Sequence, residues 1–267
     1  MGTGAFRVRH MKERPVTTLE QARRAAYDLD PTIRQRAAVH LGTLGDDAQS
    51  AELVALLVAE PDFFVRETLT WAVCRHPQAA LPHLLAALDD APGARVQVLH
   101  ALSKIQSPDA VPQILPFATD DDPAVAMKAW WALGRTGTPE AAPALLPHLG
   151  HGDEEQQREL SRALEQLGAP GVAGLTDALS TTDPEVRLHA ARALVLVGDP
   201  AARPAAAALV AVAEGDDREI AMVALEALAA LDAPEVEPAL ERLRDGEDRF
   251  RSLTAQWLLA DRAERRG

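Results

Sequence analysis

Apolar residues recur along this chain at i, i+4 and i+8, in blocks that return every 29 to 34 residues. That spacing is a helical stripe, and its return at a fixed interval predicts stacked repeats. One position of each block, apolar in all but one, can be taken as an anchor: Ile33, Val65, Ala94, Val125, Gln156, Val186, Ile220 and Phe250. Three residues earlier stands an acid in seven of the eight blocks: Asp30, Asp62, Asp122, Asp153, Asp183, Asp217 and Glu247. Such an acid predicts a helix N-cap, because its carboxylate accepts orphan backbone N–H groups at the positive helix end. Pro31, Pro123 and Pro184 follow at the first helical position, where a missing N–H costs nothing. Gly45, Gly137, Gly168 and Gly198 stand twelve residues after their anchors and predict left-handed caps. A second helix then opens near Pro108, Pro139, Pro170, Pro200 or Pro234, with buried faces such as Leu84-Leu85-Leu88 and Leu145-Leu146-Leu149.

Arginine follows the anchor in five blocks: Arg34, Arg66, Arg95, Arg187 and Arg251. An Arg at one place in successive repeats reaches toward the Asp of its neighbour, so Asp30, Asp62, Asp122 and Asp183 with Arg34, Arg66 and Arg187 are expected to form a structural ladder. The block at 183–200 is the fullest: Asp183-Pro-Glu-Val-Arg187, Ala190-Ala191, Ala193-Leu194, Gly198-Asp199-Pro200. At these residues the chain resembles the HEAT-like repeats first associated with phycobilisome lyases. The resemblance covers 183–213 almost fully, 30–60 and 122–150 well, and 153–180 and 247–259 loosely. It implies an all-α fold, an α-α superhelix of about eight helix-pair repeats whose core exists only through stacking.

Residues 1–15 carry Arg7, Arg9, His10, Lys12 and Arg14 against Glu13 and are expected to form a basic arm. Residues 16–267 are expected to form a single solenoid. A capping helix over 17–29 opens on Thr17-x-x-Glu20, the repeats run from about 30 to 246, and a closing helix occupies 247–265.

Composition narrows the function. The net charge of −13 disfavours generic nucleic-acid binding, which rests on neutralising phosphates. No run of 18 apolar residues is present to cross a membrane, and residues 1–14 lack the apolar stretch of a signal peptide. Cys74 is the sole cysteine, which suits a reducing cytoplasm. It replaces the glycine of Gly42 and Gly134, so it is expected to pack rather than react. No zinc, calcium, phosphate-loop or His-Glu metal signature appears. No catalytic residue, metal or cofactor is therefore expected.

One pattern exceeds that background. Six residues after the anchor a first helix faces solvent, and repeats one to four place Val39, Trp71, His100 and Trp131 there. Four residues on, repeats two to four carry Arg75, Lys104 and Arg135, and Lys128 adds charge nearby. Tryptophan and arginine are the residue types enriched in binding hot spots. Trp71, His100, Trp131, Arg75, Lys104, Arg135 and Lys128 are therefore the candidate binding face. Trp130, where neighbours have alanine, is expected to fill the core. The expected function is a non-enzymatic scaffold for a protein partner, as a monomer or weak dimer. The family resemblance leaves open a bilin-lyase-like subunit. A DNA-repair protein of HEAT-like build is the third reading, against which the acidic charge speaks.

Overall fold

The protein is described here by a computed structural model that covers residues 18–266. The described residues hold sixteen α-helices and no strands. They fall into two compact units, one running to Ala87 and the other starting at Leu88, with the break inside helix α5. In the first unit α1 (Leu19–Ala25), α2 (Pro31–Leu44), α3 (Ser50–Ala59) and α4 (Phe63–Cys74) precede α5 (Pro77–Asp90). In the second, the first helices are α6 (Arg95–Ile105), α8 (Pro123–Thr136), α10 (Glu154–Leu167), α12 (Pro184–Val197), α14 (Arg218–Ala230) and α16 (Arg249–Arg266). Their second helices are α7 (Val111–Ile114), α9 (Ala142–Leu145), α11 (Ala169–Ala178), α13 (Ala206–Ala213) and α15 (Val236–Arg244). The short α7 and α9 have a local cause. Pro112 and Pro116, then Pro143 and Pro147, remove backbone donors and break these helices into flanking 3₁₀ turns.

Six of the acids cap their helices as the spacing predicts. Asp30, Asp62, Asp122, Asp153, Asp183 and Asp217 each accept a backbone N–H of the first turn, a contribution of about 1 kcal/mol apiece. Two boundaries move by one residue. The first capping box joins Thr18 to Gln21 rather than Thr17 to Glu20. In the last repeat Asp248, not Glu247, accepts from Phe250 and Arg251 N–H. The glycines divide. Gly137 adopts the left-handed conformation at φ 65°, whereas Gly45 closes α2 at φ −74° and is extended. In repeat three Gln106 takes the left-handed place at φ 56°. The basic arm proposed at 1–15 lies outside the described residues.

Small residues set the spacing of neighbouring first helices. Ala37, Ala38, Ala129, Ala163, Ala190 and Ala191 are buried to 1% exposure or less. A Cβ on Gly134 of α8 would lie 2.2 Å from the Ala163 carbonyl oxygen of α10, so only glycine permits that approach. Trp130 fills the core as expected. Its ring is buried, its Nε1–H donates to Ala118 O at 2.8 Å, and it packs on His148 at 4.8 Å between ring centroids.

The arginine ladder departs from the expected pairing. Arg34 binds Glu60 through two bonds of 2.7 and 2.8 Å, not Asp62. Glu60 stands two residues before the cap and also accepts the Asp62 N–H at 2.9 Å. Arg95 likewise reaches Asp120, at 3.5 Å. Arg66 and Arg187 spend their donors on carbonyls of their own preceding loops, at Pro61 and Thr181. Only Arg187 faces the next cap, Asp217, at 3.8 Å. The physical reason is competition: the cap carboxylate already serves helix N–H groups, and the acid two residues back, which accepts only the N–H of the cap residue, keeps capacity for the guanidinium. A second tie uses the Asp of the Gly-Asp-Pro phrase. Asp199 accepts from Arg203 at 2.6 and 2.7 Å and from the Asp232 N–H of the following repeat at 3.0 Å. Arg203 is the main cause that holds its carboxyl at about 2.

Candidate binding face

In the first unit, α2 and α4 pack side by side and leave a shallow groove of about 440 Å³ between their outer faces, lined by Gln35, Val39, Phe64, Glu67, Thr68 and Trp71. Val39, Phe64 and Trp71 are exposed by 44, 68 and 43%. Gly42 seats the indole: a Cβ there would lie 2.6 Å from Trp71 Cζ3. The Cζ3 edge of the ring therefore rests on α2 while Trp71 as a whole stays 43% exposed. The Arg75 guanidinium lies 5.5 Å from the ring centroid, one turn along the helix. Phe63 meets Phe64 edge-on at 5.5 Å and widens the apolar rim.

The second unit repeats the pair on α8. Arg135 lies 5.7 Å from the Trp131 ring and donates to Gln166 Oε1 at 3.3 Å. Trp131, Arg135, His100 and Lys128 are half-buried, and Lys104 is exposed. Of the seven candidates, the structure thus joins Trp71 with Arg75 and Trp131 with Arg135, each pair within one unit. Part of the Arg135 donor capacity is used internally.

Sequence reading leaves out Trp257. Counted from the observed cap Asp248, Trp257 is nine residues along, as Trp71 is from Asp62 and Trp131 from Asp122. Phe250 likewise matches Phe64, two residues after the cap. Every tryptophan except the core Trp130 therefore shares one outward position. Placing the last cap at Asp248 rather than Glu247 would have revealed this from sequence.

Among the cavities of the second unit, two bring histidines together with other polar side chains. A groove of about 450 Å³ across α10, α12 and α14 has Ser161 and His189 in its floor, with Val195, Leu196 and Val223. His189 is 3% exposed. Its Nδ1 accepts from Gly150 N–H at 3.0 Å, so the proton sits on Nε2 and points to Ser161 Oγ at 2.9 Å. Ser161 in turn donates to Gln157 O at 2.9 Å. A base that activates serine needs a free lone pair at the nitrogen facing it. This imidazole presents the opposite tautomer, so the pair is a structural clasp between two repeats. Burial holds His189 at about 4, and Arg192 adds to the depression. The other cavity, about 310 Å³, lies beside Trp130 and collects Asp120, Asp121, His148 and His151. Burial and the nearby His151 lower His148. Among the described residues no three His, Cys, Asp or Glu side chains are arranged to hold a metal ion. Nor is any helix there long and apolar enough to cross a membrane.

Comparison with known proteins agrees with this architecture. A sequence profile described as HEAT repeats matches residues 81–165, 145–219 and 172–260, together well over half of the chain. No functionally curated protein matches by sequence. The archaeal HEAT-like repeats protein from Thermococcus onnurineus NA1 is 16% identical, with a TM-score of 0.52 over 79% of this chain and 95% of that one. The karyopherin Kap121p, solved bound to the SUMO protease Ulp1p, is also 16% identical, with a TM-score of 0.58 over 90% of this chain but 32% of its own length. The complex of CpcE and CpcF of phycocyanin lyase from Nostoc sp. PCC7120 is 20% identical over 98% of this chain and 99% of that chain, at a TM-score of 0.35 that carries no structural argument. On the sequence match, the repeat phrase and the helix-pair architecture, the chain belongs to the HEAT repeat family.

Proposed function

We propose that this protein is a non-enzymatic scaffold or adaptor that binds a protein partner through the outer face of its first helices, with the α2–α4 groove as a principal contact. The observation that carries the reading is the half-exposed Trp71, seated on Gly42 and flanked by Phe64, Val39 and Arg75. An indole held rigid but left wet loses little entropy on binding and has apolar area still to bury. The karyopherin of similar fold, solved with a protein bound to it, supports a protein as the class of partner. The clasped tautomer of His189 supports a non-enzymatic role for the groove across α10, α12 and α14.

The test is affinity capture from native extract, followed by identification of the retained protein and titration of that purified partner. Parent, Trp71→Ala and Phe64→Ala are compared after circular dichroism shows that all three are folded. A hot-spot side chain is worth about 2 kcal/mol, so Trp71→Ala should weaken binding about 30-fold. Equal affinity of parent and both variants would refute this face.

A further inference from the structure

Positive charge is matched by carboxylates over much of this protein. Arg23, Arg34, Arg192, Arg203 and Arg242 each lie within 3.3 Å of one. The outward face of α6 and α8, in the second unit, departs from this. Lys104 on α6 and Lys128 and Arg135 on α8 enter no ion pair among the described residues. Neither helix contains an Asp or a Glu. On the neighbouring α10, Glu159 is held by Arg162 at 2.8 Å, while Glu154 and Glu165 line the groove on the side of α12. Two of the chain's three lysines thus stand together on a protein of net charge −13.

The spacing of these cations is regular. Lys128, Trp131 and Arg135 follow at i, i+3 and i+7, which puts them on one stripe of α8 with the indole between the charges. At about 1.5 Å per residue the two ends of that stripe are about 10 Å apart. Lys104 has the place on α6 that Arg135 has on α8, and the two helices pack side by side, about 10 Å across. Arg135 is steadied by neutral partners, the Trp131 ring at 5.7 Å and Gln166 Oε1 at 3.3 Å. Such partners fix the guanidinium without cancelling its charge.

We infer that this face holds an acidic segment of a partner protein, with its carboxylates against Lys104, Lys128 and Arg135 and an apolar side chain against Trp131. The inference rests on the scaffold reading and names the chemistry of the partner. An extended segment with acids three residues apart spans about 10 Å, the spacing of the cations. At physiological salt the Debye length is about 8 Å. A segment lying on this face is therefore drawn to the three cations and screened from the acidic remainder of the surface.

The test uses a fluorescein-labelled synthetic peptide of about twelve residues, with glutamate at every third position and one central leucine. Fluorescence anisotropy follows its binding to the full chain, and a control peptide carries glutamine for every glutamate. The acidic peptide should bind saturably, with a Kd below about 1 mM, and more weakly as salt rises. The glutamine peptide should bind about tenfold more weakly or not at all. Lys104→Gln/Lys128→Gln keeps most of both stems and should also cost about tenfold. Arg242→Gln/Arg244→Gln removes two charges elsewhere and should leave the affinity close to that of the parent. Equal affinity for the glutamine peptide, indifference to the lysine substitutions, or no saturable binding would each overturn the inference. So would tighter binding of a single-stranded oligothymidylate through the same lysines, which would make the patch a reader of phosphate. The glutamine peptide changes the ligand alone, so it stays decisive if the lysine variant unfolds. Capture with Trp71→Ala reads the α2–α4 groove separately, so failure of the acidic peptide leaves the scaffold reading standing.

Discussion

The His189 clasp makes a quantitative prediction about acid stability. The imidazole is buried between two repeats, bonded to Gly150 N–H and Ser161, and held at about 4 against an ordinary 6.5. The unfolded chain therefore binds this proton at higher pH than the folded one. Between the two values the unfolded state carries more protons, so stability rises with pH. The contribution is complete above 6.5 and is lost as pH falls toward 4. A shift of that size is worth about 3 kcal/mol, most of it falling between pH 7.5 and 4.5. The group is 3% exposed, so solvent screening reduces this little. The assay is urea unfolding of the parent and of His189→Gln at both pH values. The parent should lose about 2–3 kcal/mol more than the variant on acidification. If both lose the same amount within about 0.5 kcal/mol, the precision of such a comparison, the clasp does not exist as described. An imidazole proton resonance titrating above pH 6 would refute it independently.

Substitutions at three further positions probe the packing. Gly134→Ala forces α8 away from the Ala163 carbonyl, 2.2 Å from the added carbon, and should cost about 2 kcal/mol or more in urea unfolding. Glu60→Ala leaves the Arg34 guanidinium, 14% exposed, without its partner and should cost about 2–3 kcal/mol. Burial works to raise Glu60, but hydrogen bonds from Arg34 and the Asp62 N–H overcome it and leave the carboxyl below its ordinary value. That pair therefore stabilises above the ordinary carboxylate range and is lost as pH falls through the depressed value, a dependence that Glu60→Gln should abolish in thermal melts. Trp130→Phe removes the indole bond to the buried Ala118 carbonyl and should cost about 1–3 kcal/mol, with a loss of near-ultraviolet dichroism.

Much of the architecture is legible locally. The acid, the proline after it and the i, i+4, i+8 stripe act within one or two helical turns, so caps and buried faces follow from neighbours in sequence. Trp130 is readable as core because its place in the first and sixth repeats belongs to Ala38 and Ala191, both buried. The candidate face is partly legible, since Trp71 and Trp131 share an offset. Trp257 escapes because a one-residue shift in the last cap changes its count. The shift is settled by which backbone N–H groups Asp248 receives.

What sequence could not decide involves partners a whole repeat away. The choice of Glu60 over Asp62 for Arg34 depends on which carboxylate is already spent on helix N–H groups. The tautomer of His189, and with it the exclusion of a serine nucleophile, depends on Gly150, 39 residues distant in the chain. Whether Trp71 is wet or covered depends on Gly42 in α2, the first helix of the preceding repeat. Local propensity writes each repeat, because its signals act over a turn. Exposure, pairing and protonation belong to the stack, because they are set by whatever the neighbouring repeat brings within bonding distance.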